Sequence, residues 1–383
     1  MLEKSDVTDS SRRRIVFLFS LIYRPLDANF IGRFALLSKW YTGHIFALSG
    51  AKQRELPVSD FLFHSEETVG NTLRRIARWM KIQIVAPIRM LSGRQKIDLV
   101  VAYDPYRCGL AALILKYVLR CKMIVEVNGD NHTNEAGGAF AGNAVQRWTS
   151  RLVLNKADAI RVLNFSQEDY YRRHFPKARL FRLPDYVATS YFTALETLQG
   201  DALLSVGMPF HRKGIDVLIK AFLRIADKHP RATLRIMGYC PESEFGTYRD
   251  LAAGCARIAF VKPGWIDEVG EEVRSCYALV NAARSEAMGR VHVEAMACAK
   301  PIVATRTNGA VVCVEDGVTG LLCNGDDVSD LAEKLDDLLS DPVRAKQLGE
   351  AGRARMLEMF SEDVYTRGFH NMIEEVIGSS RDA

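Results

Sequence analysis

Short apolar runs rich in β-branched residues alternate with helix-like stretches along most of this chain, and nothing else restricts its fold as strongly. In the first half the runs are 15–22, 45–49, 83–87, 99–103, 123–127 and 159–163; in the second they are 202–206, 233–237, 258–261, 277–283, 301–305 and 320–323. Continuous apolar strands separated by amphipathic segments predict parallel sheets covered by helices on both faces. Two such series in 383 residues predict two Rossmann-like α/β domains, whose ligands bind at the carboxyl ends of the strands. The turn signals around Leu183-Pro184-Asp185 and on to Gly200 place the boundary. The expected division is 1–185, 186–362 and a final helical segment, 363–383.

The composition, 48% hydrophobic and 25% charged, fits a soluble globular protein better than a disordered or fibrous one. Cysteines 108, 121, 240, 255, 276, 298, 313 and 323 form no CxxC pair and no zinc-ligand cluster, so they read as buried thiols of a reducing compartment. The apolar run after Arg12-Arg13-Arg14 is too short to span a bilayer. A cytoplasmic protein is expected. Between Glu67 and Asp98 there is no acid, but there are seven bases: Arg74, Arg75, Arg78, Lys81, Arg89, Arg94 and Lys96. Leu73, Ile76, Ala77 and Met80 interleave with the first four at the spacing of a basic amphipathic helix. Residues 74–96 therefore suggest peripheral contact with an anionic membrane, against the plainer reading of a solvated helix face. No nucleic-acid-binding motif accompanies the charge.

Chemistry concentrates in the second half. In Arg284-Ser285-Glu286-Ala287-Met288-Gly289-Arg290-Val291-His292-Val293-Glu294 two carboxylates stand eight positions apart, between a strand-like run and a helix-like one. A helix start offers unpaired N–H groups and a positive dipole end, which suit a phosphate; flanking carboxylates accept hydrogen bonds from sugar hydroxyls. Upstream, Gly207 ends a strand and His211-Arg212-Lys213-Gly214 opens an amphipathic helix, so Lys213 is placed to meet a diphosphate.

These segments resemble the donor site of retaining glycosyltransferases of family 4, the "glycosyl transferases group 1". Gly207…Lys213-Gly214-Ile215-Asp216 is similar to its opening, Glu286 to Glu294 to its E-x7-E element, and Asn308-Gly309…Glu315-Asp316-Gly317-Val318-Thr319-Gly320 to its close. The resemblance covers about residues 203–340 and implies the GT-B fold: a C-terminal domain for a nucleotide-sugar donor, an N-terminal one mainly for a glycan or lipid-linked acceptor, and a last helix that crosses back. It further implies Lys213 and Arg212 at the diphosphate, Glu286 on the donor sugar, Glu294 on the ribose, and backbone amides from Met288, Gly289, Arg290 and Val291. In the first half, Asn29-Phe30-Ile31-Gly32-Arg33 stands where the family has a glycine-containing loop, which would put Gly32 and Arg33 at the diphosphate. Asn128 stands where many members carry a histidine near the reacting sugar; His132 lies four residues on. Met208 replaces an arginine common after Gly207, and Ala282-Ala283 replace a Pro-Ser pair.

The expected activity is therefore retaining sugar transfer in surface polysaccharide or glycolipid synthesis, with Glu286, Lys213 and Asn128 at the chemistry and no cofactor. The chain contains no Asp-x-Asp sequence, the short metal–diphosphate motif of the other main glycosyltransferase fold, so metal independence is expected. A sugar-nucleotide epimerase on the same fold and a non-catalytic, lipid- or partner-binding relative are the alternatives. A glycosidase needs two facing carboxylates, and a dehydrogenase a G-x-G-x-x-G after a first strand; neither fits this pattern.

Overall fold

The structure, a computed structural model, describes residues 12–22, 27–49, 56–68, 70–129, 144–194, 200–262 and 266–378. They pack as two units: Met1–Val162 with Tyr171–Phe181 and Thr366–Ala383, and Leu163–Tyr170 with Arg182–Tyr365.

The first unit is built on an eight-stranded sheet. Its strands are β1 (Arg13–Ile22), β2 (Tyr41–Ser49), β3 (Leu56–Val58), β4 (Phe61–Glu67), β5 (Leu99–Ala102), β6 (Lys122–Glu126), β7 (Ala159–Val162) and β8 (Arg179–Arg182), in the order β3-β4-β2-β1-β5-β6-β7-β8. β1 runs parallel to both of its neighbours, β2 and β5. The order in which strands are added to the sheet reverses at β1, so the connections after β1 and β5 lead to opposite sides. Ile15, Val16, Leu18, Ile45, Phe46, Leu99 and Val100 are wholly buried, as expected of strands covered on both faces. Residues from the last helix, Glu362–Gly378, complete this core: Phe369 stacks 6.4 Å from Phe17, and the Tyr41 hydroxyl lies 2.7 Å from His370 Nδ1.

Two local expectations fail. Residues 83–87 are not a strand. The helix Thr72–Met80 runs without a turn signal into a π-helical turn, Lys81–Val85, and on into the helix Ala86–Leu91. An Ile-Gln-Ile-Val run has the composition of a strand, but it begins inside a helix that nothing terminates, and Pro87 falls in the first turn of the next segment, where a missing N–H costs nothing. Conversely, β3 and β4 form an antiparallel edge hairpin that composition hid. Pro57 is tolerated because the strand is at the edge, and β4 alternates buried Phe61 and Phe63 with exposed Leu62.

The second unit holds a six-stranded sheet: β9 (Ala202–Val206), β10 (Thr233–Met237), β11 (Ile258–Val261), β12 (Ala278–Asn281), β13 (Ile302–Thr305) and β14 (Leu321–Cys323), ordered β11-β10-β9-β12-β13-β14 and parallel throughout. Here β9 and β12 are adjacent, and β9 alone of the pair also bonds β10. The loops that leave these two strands diverge at the switch of strand order, where an open α/β sheet forms the crevice that binds ligands. The helix Ile215–Ile225 buries Ile215, Leu218, Ile219 and Phe222 on this sheet, which fixes the start of that helix beside the crevice.

Candidate active site

The loops after β9 and β12 bring Gly207, Arg212, Lys213 and Glu286 together. Lys213, 7% exposed, donates from Nζ to Glu286 Oε2, and its aliphatic stem lies across Gly207: a Cβ on Gly207, whose φ is +139°, would come within 2.4 Å of Lys213 Cε. Any side chain at 207 would displace the lysine. Arg212 Nη1 stands 3.8 Å from Glu286 Oε1, while its Nη2 holds the Met208 carbonyl at 2.8 Å. Met208 itself is half exposed. Arg284, next to this cluster, is committed elsewhere: it grips Asp216 through two bonds of 2.9 and 2.8 Å and pairs with Asp326 at 2.8 Å, clamping the β12 loop to the helix after Lys213.

The segment from Ala287 to Gly289 is fixed from several sides. Asn164 Nδ2 donates to the Ala287 carbonyl at 2.9 Å, and the Asp185 N–H to Met288 Sδ at 3.0 Å. His292, wholly buried, sits 2.8 Å from Asn281 Nδ2 through Nε2 and 3.3 Å from the Met288 carbonyl through Nδ1. Because the Asn281 amide nitrogen only donates, Nε2 must accept and Nδ1 must carry the proton. Burial pushes this imidazole down to about 4, so it is neutral at physiological pH and acts as a spacer with one donor and one acceptor. Gly289, at φ +78°, turns the chain against the ring: a Cβ there would meet His292 Nδ1 at 2.5 Å. The helix Arg290–Ala297 follows, and in its first turn the His292 N–H donates to the Gly289 carbonyl at 2.9 Å.

The two glutamates behave in opposite ways. Burial raises the Glu286 carboxyl, but the Lys213 ammonium bound to it outweighs burial and holds it below the usual range. Burial also raises Glu294, and here Arg290 and Lys213 do not overcome it. Glu294 is 9% exposed and its carboxyl makes no hydrogen bond to a described residue.

In the first unit, Asn128 follows β6. Its Oδ1 accepts from Arg161 Nη1 at 3.2 Å and its Nδ2 donates to the Tyr103 carbonyl at 2.9 Å, so the amide is held at the carboxyl edge of the sheet. His132 lies outside the described residues. Gly32 and Arg33 are not in a loop: Asp27 caps the helix Ala28–Leu37, and both residues fall in its middle. The Asp27 side chain accepts from the Phe30 N–H, an N-cap that starts the helix just where the family resemblance suggested a glycine loop. Arg33 points into the core, bonds Glu126 at 2.6 Å and lies 4.9 Å over the Phe369 ring. Its guanidinium is a packed partner of Glu126, which corrects its assignment to a diphosphate loop. The reading from sequence also passed over His292, Asn281 and the Arg284–Asp216–Asp326 clamp. A histidine in an apolar helix beside two glutamates was the available signal for the first.

The fold is that of the GT-B glycosyltransferases. Over 96% of this chain and 100% of the other, it superposes on sucrose-phosphate synthase from Thermosynechococcus elongatus with a TM-score of 0.81 at 17% identity. Residues 195–355, which include the strands β9–β14, match the family "Glycosyl transferases group 1". Among curated proteins, the chain is 33% identical over 177 residues to the uncharacterized glycosyltransferase MJ1178 of Methanocaldococcus jannaschii, covering 45% of this chain and 48% of that one. It is 29% identical over 274 residues to the GDP-mannose-dependent alpha-(1-6)-phosphatidylinositol monomannoside mannosyltransferase of Mycolicibacterium smegmatis, 66% of this chain and 70% of that one. The matched stretch thus spans about half the length of the first of these relatives and over two thirds of the second.

Proposed function

We propose that this protein is a retaining, metal-independent glycosyltransferase that moves a sugar from a nucleotide-sugar donor to a glycan or lipid-linked acceptor in surface polysaccharide or glycolipid synthesis. The observation that carries the reading is the cluster at the ends of β9 and β12: a buried lysine on a largely buried glutamate, beside a helix start, with a second, buried glutamate in that helix. Transfer needs stabilisation of a departing diphosphate and of an oxocarbenium-like sugar, which fixed positive charge and oriented amides provide. Lys213 leaves Glu286 for the donor phosphates, Arg212 adds a second charge, and the amides of Gly289 to Val291 complete the cradle. Freed from Lys213, Glu286 accepts from the donor sugar hydroxyls, and Glu294 from the ribose. With two cationic side chains at the phosphates, no metal ion is required there. The acceptor hydroxyl attacks the anomeric carbon on the face that the diphosphate leaves and gives its proton to the donor phosphate, so the new glycosidic bond replaces the sugar–phosphate bond with retained configuration, and Asn128 orients the reacting sugar. Gly32 has no such part, because it lies inside a helix.

A relative that acts on phosphatidylinositol monomannoside supports a lipid-linked acceptor. The helix Thr72–Met80 buries no residue and exposes Leu73, Ile76 and Met80 among its arginines, which supports peripheral contact of residues 74–96 with the inner face of an anionic membrane. No helix among the described residues is long and apolar enough to cross a membrane. The test is a panel of UDP- and GDP-sugars incubated in EDTA with lipid-extract acceptors and followed by mass spectrometry. A glycosylated lipid or glycan formed by the wild type and lost in Glu286→Ala supports the proposal. Product without acceptor indicates an epimerase instead, and activity that returns only with a divalent ion removes metal independence.

A further inference from the structure

Within the first unit, a cavity of about 410 Å³ lies behind the basic helix, lined by Ile76, Trp79, Leu110 and Val145 with Arg75 and Arg107. That volume is in the range of small-ligand sites. Three further observations bear on what it could hold. No acidic side chain among the described residues lines it, and neither the Arg75 nor the Arg107 guanidinium pairs with a described residue. Their neighbours differ: Arg78 bonds the Glu67 carbonyl and Lys81 bonds Glu66. The buried indole N–H of Trp79 has no acceptor. Finally, the helix carrying Arg75, Ile76 and Trp79 passes directly into the π-helical turn Lys81–Val85, a distortion concentrated at functional sites.

The apolar lining continues outward. Val145 is 64% exposed and Trp148, one turn on in the same helix, 66%; Leu73 and Ile76 are exposed on the facing helix. An aromatic and aliphatic rim with cations is the surface of a protein that meets a bilayer. Inward, the cavity touches Ser20 and Leu48 near the ends of β1 and β2 and the start of the helix Arg107–Val118 after β5. That is the carboxyl edge of the sheet, where Asn128 is tied to Tyr103.

We infer that this cavity binds the lipid end of the acceptor: an apolar chain in the pocket, with its phosphate held by Arg75 and Arg107. A phosphate between two unpaired guanidinium groups gains charge-assisted hydrogen bonds, and the Trp79 N–H gains an acceptor in a phosphate or ester oxygen. A chain anchored there presents its head group along the sheet edge towards Asn128. The inference rests on the lipid-linked reading of the acceptor and adds to it a site and a ligand class.

The test uses the full chain without detergent, titrated calorimetrically with geranyl phosphate below its aggregation limit. Geraniol, inorganic phosphate and dihexanoyl phosphatidylglycerol serve as controls. Expected are one-to-one binding of geranyl phosphate, at least about tenfold weaker binding of the three controls, and a tenfold or greater loss in Val145→Trp, which fills the mouth from an exposed position. Arg75→Ala with Arg107→Ala should erase the preference for geranyl phosphate over geraniol. The thermal shift produced by UDP or GDP should stay unchanged in all variants, which shows that they fold. No binding of geranyl phosphate, or equal binding by Val145→Trp, overturns the site. Equal binding of the phosphatidylglycerol overturns the acceptor assignment in favour of bulk lipid. If sugar transfer fails while geranyl phosphate binds, the catalytic reading falls and the cavity stands.

Discussion

Two ion-pair clusters, one in each unit, each join a carboxylate to a buried cation and differ in their surroundings. Arg33, Glu126 and Arg161 form the first, at 2.6 and 3.4 Å, with Glu126 and Arg161 1% exposed. Lys213, Glu286 and Arg212 form the second. The Arg33 guanidinium lies over the rings of Phe17, Phe34 and Phe369, so removing it would leave a hole in a packed core. Lys213 instead crosses a glycine at the end of β9, beside a helix start and a carboxyl with no hydrogen bond of its own. Burial of charge therefore does not mark a site by itself. On the proposed function, the second cluster acts as a site because its carboxylate and cation can exchange each other for a ligand, whereas the Arg33 guanidinium is packed over three rings.

The largest effect that separates them is on stability. Glu126→Gln leaves two guanidinium groups short of their counter-charge, and breaking a buried pair in this way costs about 3–5 kcal/mol; urea unfolding should show it, with nucleotide affinity per folded molecule unchanged. A comparable loss of stability in Lys213→Ala would erase the distinction. Next, Lys213→Ala and Glu286→Ala should each lower kcat/KM by roughly 10²–10³, the range for removing one preorganised electrostatic contact, with a change in melting temperature well below that of Glu126→Gln.

How far each cluster was legible in the sequence follows from the same contrast. Lys213, Glu286 and Glu294 sit on strand–loop–helix joints, where glycines and the spacing of charged residues announce a site, and each half's alternation of apolar runs announced the parallel sheets. Arg33 and Glu126 are 93 positions apart, and no local pattern links them. Asn29 to Arg33 therefore suggested a glycine loop, although the Asp27 cap makes the segment a helix. Residues 83–87 misled for a related reason: Ile and Val favour strands, but the preceding helix carries straight through them. His292 went unread because its partners, Asn281 and the Met288 carbonyl, define it only once folded.

A third, smaller effect concerns pH. The His292 imidazole stands at about 4 in the folded chain against 6.5 for the free side chain, so the unfolded chain takes the proton more readily. Stability should fall as pH drops from about 6.5 to about 4, by at most about 3 kcal/mol. Glu286, held low by Lys213, adds in the same direction: its stabilisation is present above its unfolded value and is lost as pH falls through its folded one. Glu294, held high by burial, acts oppositely, and its contribution is lost as pH rises through its folded value. His292→Gln should flatten the limb between pH 6.5 and 4 in urea unfolding and raise KM for the donor more than it lowers kcat. An unchanged limb would remove His292 as the residue that sets the Met288–Gly289 turn.

The smallest effect belongs to Asn128. Its amide is held by Arg161 and Tyr103, so Asn128→Ala should reduce kcat by roughly tenfold through lost orientation, with donor affinity unchanged. Asn128→Asp should restore less than half of the activity, because the lost N–H was the group that bonded Tyr103.

The account turns on the β9–β12 crevice being a nucleotide-sugar site that uses its own cations. The most direct measurement is calorimetric titration of wild type and Lys213→Ala with UDP- and GDP-sugars in the presence of EDTA. The account predicts saturable one-to-one binding of at least one donor to the wild type, weakened about a hundredfold in the variant. Binding that is equal in both proteins, or that appears only when a divalent metal is added, would contradict it.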